Sequence, residues 1–147
     1  MTGVLSEFSA GGVAVNRHGE VAVIVPVRRA ANGAKVLSLP KGHPDGDETP
    51  EQAALREVRE EAGLETEIVV TLGDVRYWYR RNGRRVAKVV RFFLLRPVGG
   101  QLEDHDGEVE VARWMALEEA IGALSFRGER EMARRALTRL GEGPPLG

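Results

Sequence analysis

The order of hydrophobic patterns along the 147 residues predicts an α/β fold, a mixed β-sheet held between helices. Three observations carry that reading. Short valine- and isoleucine-rich runs fill the first forty or so residues. A single alanine- and glutamate-rich segment with marked ends follows. A second set of apolar runs then leads into a C-terminal segment of helical period. Periodicity alone leaves several sandwich topologies open.

Residues 11–15 (Gly-Gly-Val-Ala-Val) and 21–25 (Val-Ala-Val-Ile-Val) read as strands joined through His18-Gly19, because β-branched side chains suit a pleated surface. Residues 36–39 read as another short strand, set off by an Ala-Asn-Gly loop. Asp47, Glu48, Thr49 and Pro50 are helix-start signals, and Gly63 is the stop. Residues 68–72 and 75–80 follow as strands, with Asn82-Gly83 as a tight hairpin turn and 86–95 as the returning strand, closed by Pro97 and Gly99-Gly100. Residues 108–115 read as a strand, 117–123 as a short helix and 129–140 as a terminal helix, and the tail 141–147 is expected to be loose.

The length suits one domain, residues 1–147, and 42% hydrophobic residues supply a core. No apolar run is long enough to span a bilayer, and the N-terminus lacks the basic-then-apolar layout of a secretory signal, so a cytoplasmic protein without membrane partners is expected. Cysteine is absent, which removes disulfides, thiolate metal sites and a cysteine nucleophile. His18, His43 and His105 show no metal-ligand spacing. A net charge of −1 provides no global field toward nucleic acid, and extensive nucleic-acid binding is not expected.

The chemistry concentrates in residues 42–64, GHPDGDETPEQAALREVREEAGL. Spacings of three and four place Glu57, Glu60 and Glu61 on one side of a helix, while Leu55, Val58 and Ala62 fall on a neighbouring side that can pack inward. A solvated acidic face is the competing reading, since on an exposed helix such pairs cost only about 0.2–0.5 kcal/mol. In a cleft each pair repels by about 3 kcal/mol at an effective dielectric near 20, and the cluster needs a cation or a proton. Carboxylate oxygens are the hard ligands of Mg²⁺ and Mn²⁺, which bridge to substrate phosphates. A phosphate-cleaving metal site is the hypothesis these residues support.

Gly42, then Glu48, then Arg56-Glu57-Val58-Arg59-Glu60-Glu61-Ala62-Gly63-Leu64 resembles the signature of the Nudix hydrolases, with every fixed position matched. One local departure is Gly46, which lies one residue earlier than the glycine many members place directly before the loop glutamate. The resemblance implies an α/β/α sandwich and divalent-metal-dependent hydrolysis of a nucleoside diphosphate linked to another group. It implies Glu57, Glu60 and Glu61 as metal ligands, completed by a backbone carbonyl of Lys41 or Gly42. It also implies a bracing role for Arg56 and a loop-fixing role for Glu48. For the general base, Glu108 resembles a later-loop glutamate of several members, with Glu110 as competitor and Trp114 as a core residue.

Substrate identity lies outside this box. Tyr77 and Tyr79 sit about thirteen to fifteen residues past Leu64, where diadenosine polyphosphate hydrolases of the family tend to carry a tyrosine and the ADP-ribose branch a proline. Alternation puts both tyrosines on one strand face and Trp78 on the other, with either face free to line the cleft. Lys41, Arg80, Arg81 and Lys88 are candidates for phosphate contact; a solvated basic hairpin is the plainer alternative. The leading expectation is Mg²⁺-dependent cleavage of a small-molecule dinucleoside polyphosphate such as diadenosine tetraphosphate, with Mn²⁺ as a substitute. The alternatives are hydrolysis of modified nucleoside triphosphates, RNA 5′-end pyrophosphohydrolysis, and a non-catalytic nucleotide-binding module. Oligomeric state is left open.

Overall fold

The computed structural model describes residues 5–142. Strands β1 (Leu5–Ala14) and β2 (Glu20–Pro26) come first, then a two-residue strand β3 (Lys41–Gly42) and helix α1 (Pro50–Ala62). Strands β4 (Leu64–Arg81) and β5 (Arg84–Gly100) form a long hairpin, and β6 (Val109–Ala116), α2 (Leu117–Ala123) and α3 (Arg127–Glu142) complete the order. One sheet runs β3-β1-β5-β4, with β1 parallel to β5 and the other pairs antiparallel; β2 and β6 form a second, antiparallel pair. The predicted mixed sheet is present.

Strand alternation builds the layers. On β5, Val90, Phe92 and Leu94 join one buried cluster and Phe93 and Leu95 the other; on β2, Val21 and Val23 part from Ala22 and Ile24 in the same way. Residues Ala53, Ala54, Val58 and Ala62 of α1 fill the second cluster. The first takes Leu117 and Ala120 of α2 with Met132, Ala133 and Ala136 of α3. Helices therefore cover opposite faces, and two cores stabilise one layered molecule.

Helix α1 has the ends its residues specify. Thr49 accepts from the Gln52 amide and the Gln52 side-chain oxygen accepts from the Thr49 amide, a reciprocal capping box, while Gly63 ends the helix at φ 71°. The Asn82-Gly83 turn likewise has positive φ at both residues, as a two-residue hairpin demands.

Several boundaries differ from expectation. Residues 36–39 form no strand; only Ser38 bridges to Ile24, and the polar loop before it leaves the segment without a continuous partner. Residues 68–72 and 75–80 are parts of one strand, because bulges between Glu65 and Thr66, Ile68 and Val70, and Thr71 and Gly73 absorb the irregular pattern. Pairing with β4 carries β5 through Pro97 to Gly100. The terminal helix begins at Arg127 and takes in Gly141 and Glu142, so the expected loose tail does not start at 141; residues 143–147 lie outside those described.

Candidate active site

Loop 43–49 folds back on α1 around Arg56. Its guanidinium donates to Glu48 at 2.8 and 3.0 Å, to Glu57 at 2.8 Å, to both oxygens of Glu60 at 2.9 and 3.1 Å, and to the His43 carbonyl at 2.8 Å. These bonds hold the Arg56 charge more firmly than usual, the Glu48 bond contributing most. Glu48 also accepts from the Asp45 amide at 2.8 Å, and bonds from Arg56 hold its carboxyl low. The bracing and loop-fixing geometry expected of this pair is present, extended to both nearby glutamates.

Glu61 stands apart from Arg56. Its Oε1 accepts the Lys41 backbone N–H at 2.9 Å, and burial pushes its carboxyl up to about 8, with the Glu57 and Asp106 charges adding to the shift. Burial also raises Glu57 despite the bond from Arg56. The Glu57 carboxylate lies against Gly42: a Cβ at residue 42 would collide with it, so only glycine leaves that carboxylate its place. Among the described residues no three acidic or histidine side chains are already drawn together to hold a metal, since Arg56 occupies oxygens of Glu57 and Glu60. The donor chemistry nevertheless fits a hard divalent cation. All donors are oxygens, and two half-buried carboxyls repel one another in a way that a cation relieves.

Residue Lys41 links this cluster to two clefts. One, of about 970 Å³, lies between β4 and the start of α3 and is lined by Tyr77, Phe92, Phe126 and Glu129. The other, of about 710 Å³, is basic and takes in Arg28, Arg29, Tyr79, Arg81 and Lys88. Lys41, Tyr77 and Phe126 border both. The Lys41 ammonium donates to Glu129 at 2.7 Å and Ser38 at 2.9 Å and lies 5.1 Å from the Phe126 ring centre. Tyr77 and Tyr79 share a face, their rings 6.3 Å apart, whereas Trp78 is exposed under the Arg85 guanidinium and is not buried on the opposite face.

The remaining hairpin candidates gather on a residue the sequence had not singled out. Glu7 accepts from Tyr79 and Arg81 and pairs with Lys88 at 3.7 Å; the Tyr79 bond foremost holds its carboxyl low. Lys88 is buried and donates to Ser9 at 2.7 Å, and desolvation lowers its ammonium. Glu108 is exposed, its amide bonded to Asp106 and its carbonyl to Val27. Asp106, whose amide donates to the Glu60 carbonyl at 2.7 Å, is the loop acid whose charge reaches Glu61. Glu110 pairs with Arg29 and Lys35, and Trp114 packs against the second core. Glu129 carried a readable signal: it shares the stripe of Met132, Ala133 and Ala136, and a charge on a buried stripe needs a partner.

Known proteins resemble this chain in sequence and fold. The chain is 39% identical over 135 residues to a putative mutator protein, MutT4, of Mycobacterium tuberculosis (strain CDC 1551 / Oshkosh), covering 88% of this chain but 54% of that protein. It is 30% identical to the asymmetrical bis(5′-nucleosyl)-tetraphosphatase of Rattus norvegicus, over 67% of each chain. It thus spans about half to two thirds of these relatives. A NUDIX hydrolase from Nitrosomonas europaea superposes with a TM-score of 0.75 at 20% identity, over 96% of this chain and 93% of that one. A C. elegans Ap4A hydrolase binary complex gives 0.70 at 25% identity, over 93% and 99%. A model of the NUDIX domain matches residues 6–138, spanning the box, both sheets and most of α3, and the chain belongs to the Nudix hydrolase family.

Proposed function

We propose that this Nudix domain is a divalent-metal-dependent pyrophosphohydrolase of dinucleoside polyphosphates such as diadenosine tetraphosphate. The observation that carries the reading is the junction at Lys41. One residue touches the glutamate cluster through its amide and borders, with Tyr77, a basic cleft and an aromatic one. Aromatic faces suit nucleobases, and Arg28, Arg29, Arg81 and Lys88 suit a chain of phosphates. The likeness to the rat tetraphosphatase supports the same substrate class.

In this reading Glu57, Glu60 and Glu61, with a carbonyl of Lys41 or Gly42, hold Mg²⁺ or Mn²⁺. The ion would supply charge neutralisation at the phosphate and a more acidic water. Arg56 keeps Glu57 and Glu60 oriented and Lys41 meets phosphate. A carboxylate of the 106–108 loop, Asp106 or Glu108, takes a proton from water as the water oxygen bonds phosphorus, the phosphoanhydride P–O bond breaks, and the departing nucleotide or phosphate oxygen keeps its electron pair.

The 39% identity to a putative mutator protein favours a second reading, hydrolysis of modified nucleoside triphosphates. Purified protein is to be incubated with diadenosine tetraphosphate, ADP-ribose, and ordinary and oxidised nucleoside triphosphates, with Mg²⁺ or Mn²⁺, and the products separated by chromatography. The leading reading expects the highest kcat/KM on diadenosine tetraphosphate. Preference for an oxidised triphosphate selects the second, and cleavage of ADP-ribose alone removes both.

A further inference from the structure

Glu129 is a carboxylate with only 3% of its surface exposed, and it is set in the first turn of α3. Its carboxylate has contacts besides the one to Lys41. The Leu39 amide donates to it at 2.8 Å, the Ser38 hydroxyl lies at 3.5 Å, and the start of a helix favours an acid. Lys41 is placed differently. Its ammonium ends a flexible stem, its side chain keeps 26% exposure, and it borders both clefts while resting 2.7 Å from Glu129. One partner of the pair is held on the backbone, and the other ends a partly exposed, flexible stem.

We infer that Glu129 is a positioning residue that tempers the phosphate grip of Lys41, neutralising its ammonium until a substrate phosphate takes it over. This rests on the reading of Lys41 as a phosphate ligand. A phosphate approaching the junction meets an ion pair instead of a bare cation, so the affinity it gains is what Lys41 gives less what Glu129 withholds. When the phosphate departs, the ammonium returns to a carboxylate already held in place. Such a pair favours product release over tight retention.

The test is calorimetric titration with inorganic tripolyphosphate, without metal and at low salt, so that no turnover is needed. Glu129→Gln keeps an oxygen for the Leu39 amide and loses the charge. It is expected to bind tripolyphosphate about fivefold tighter than the parent, Lys41→Gln about fivefold weaker, and the double variant no differently from Lys41→Gln. Glu129→Asp keeps a buried charge for folding but draws it back by one methylene, and is expected to tighten binding in the same direction to a smaller degree. Unchanged or weaker binding in both Glu129 variants, with the Lys41→Gln loss intact, overturns the inference while leaving Lys41 a phosphate ligand. Unchanged binding in Lys41→Gln overturns both. A failure to cleave dinucleoside polyphosphates leaves this titration unaffected and is read separately.

Discussion

Glu61 illustrates how burial changes the acidity of a helix residue. Its carboxyl is pushed up to about 8 from an ordinary 4.5, so the folded protein binds a proton that the unfolded chain releases. Metal-free protein is therefore expected to lose stability as pH rises from about 4.5 to 8, by at most roughly 5 kcal/mol from this group. Denaturant melts at a series of pH values check this: Glu61→Gln should flatten the slope, and a slope that persists in the variant refutes the assignment. With metal and substrate present, Glu60→Gln or Glu61→Gln should lower kcat roughly 10²–10³-fold while circular dichroism stays native. Activity that survives with unaltered metal dependence would show that these carboxylates are not ligands. The box glutamates were legible because a spacing of three and four residues fixes a helix side. Glu7 was not, and for Glu129 the helical stripe showed that a partner was needed but not which one, because Leu39, Lys41, Tyr79 and Arg81 are distant in sequence and only the fold brings them near.

At the scale of elements, local chemistry was the better guide wherever the ends were chemically marked. Helix α1 begins at the expected proline and stops at the expected glycine, and α2 matches its expected range of 117–123. Strand ends were harder to read. Bulges in β4 and the pairing of Pro97 with Thr66 depend on a partner strand that the local pattern does not specify. Two substitutions test the marked helix. Thr49→Ala removes the reciprocal cap and should cost about 1 kcal/mol in chemical denaturation. Gly42→Ala should instead act on activity, because its methyl displaces the Glu57 carboxylate; a variant with parental kcat would argue against that carboxylate's role.

For the whole molecule, the layered class was legible from the order of patterns. The division into two cores became visible only with the strands paired. Val58 belongs to the core under α1 and Met132 to the core under α3, with the sheet between them. Val58→Ala and Met132→Ala should each destabilise by about 2–3 kcal/mol, and the double variant by their sum to within about 0.5 kcal/mol. A strong departure from additivity would mean that the two cores communicate through the sheet. The bond from Glu129 to the Leu39 amide closes a separation of 90 residues. A ribosome must therefore deliver almost all of the described chain before this bond can form. The box helix can form early in synthesis, yet the contact to Lys41 comes last, and a message truncated ahead of α3 encodes every box residue without the carboxylate that meets Lys41.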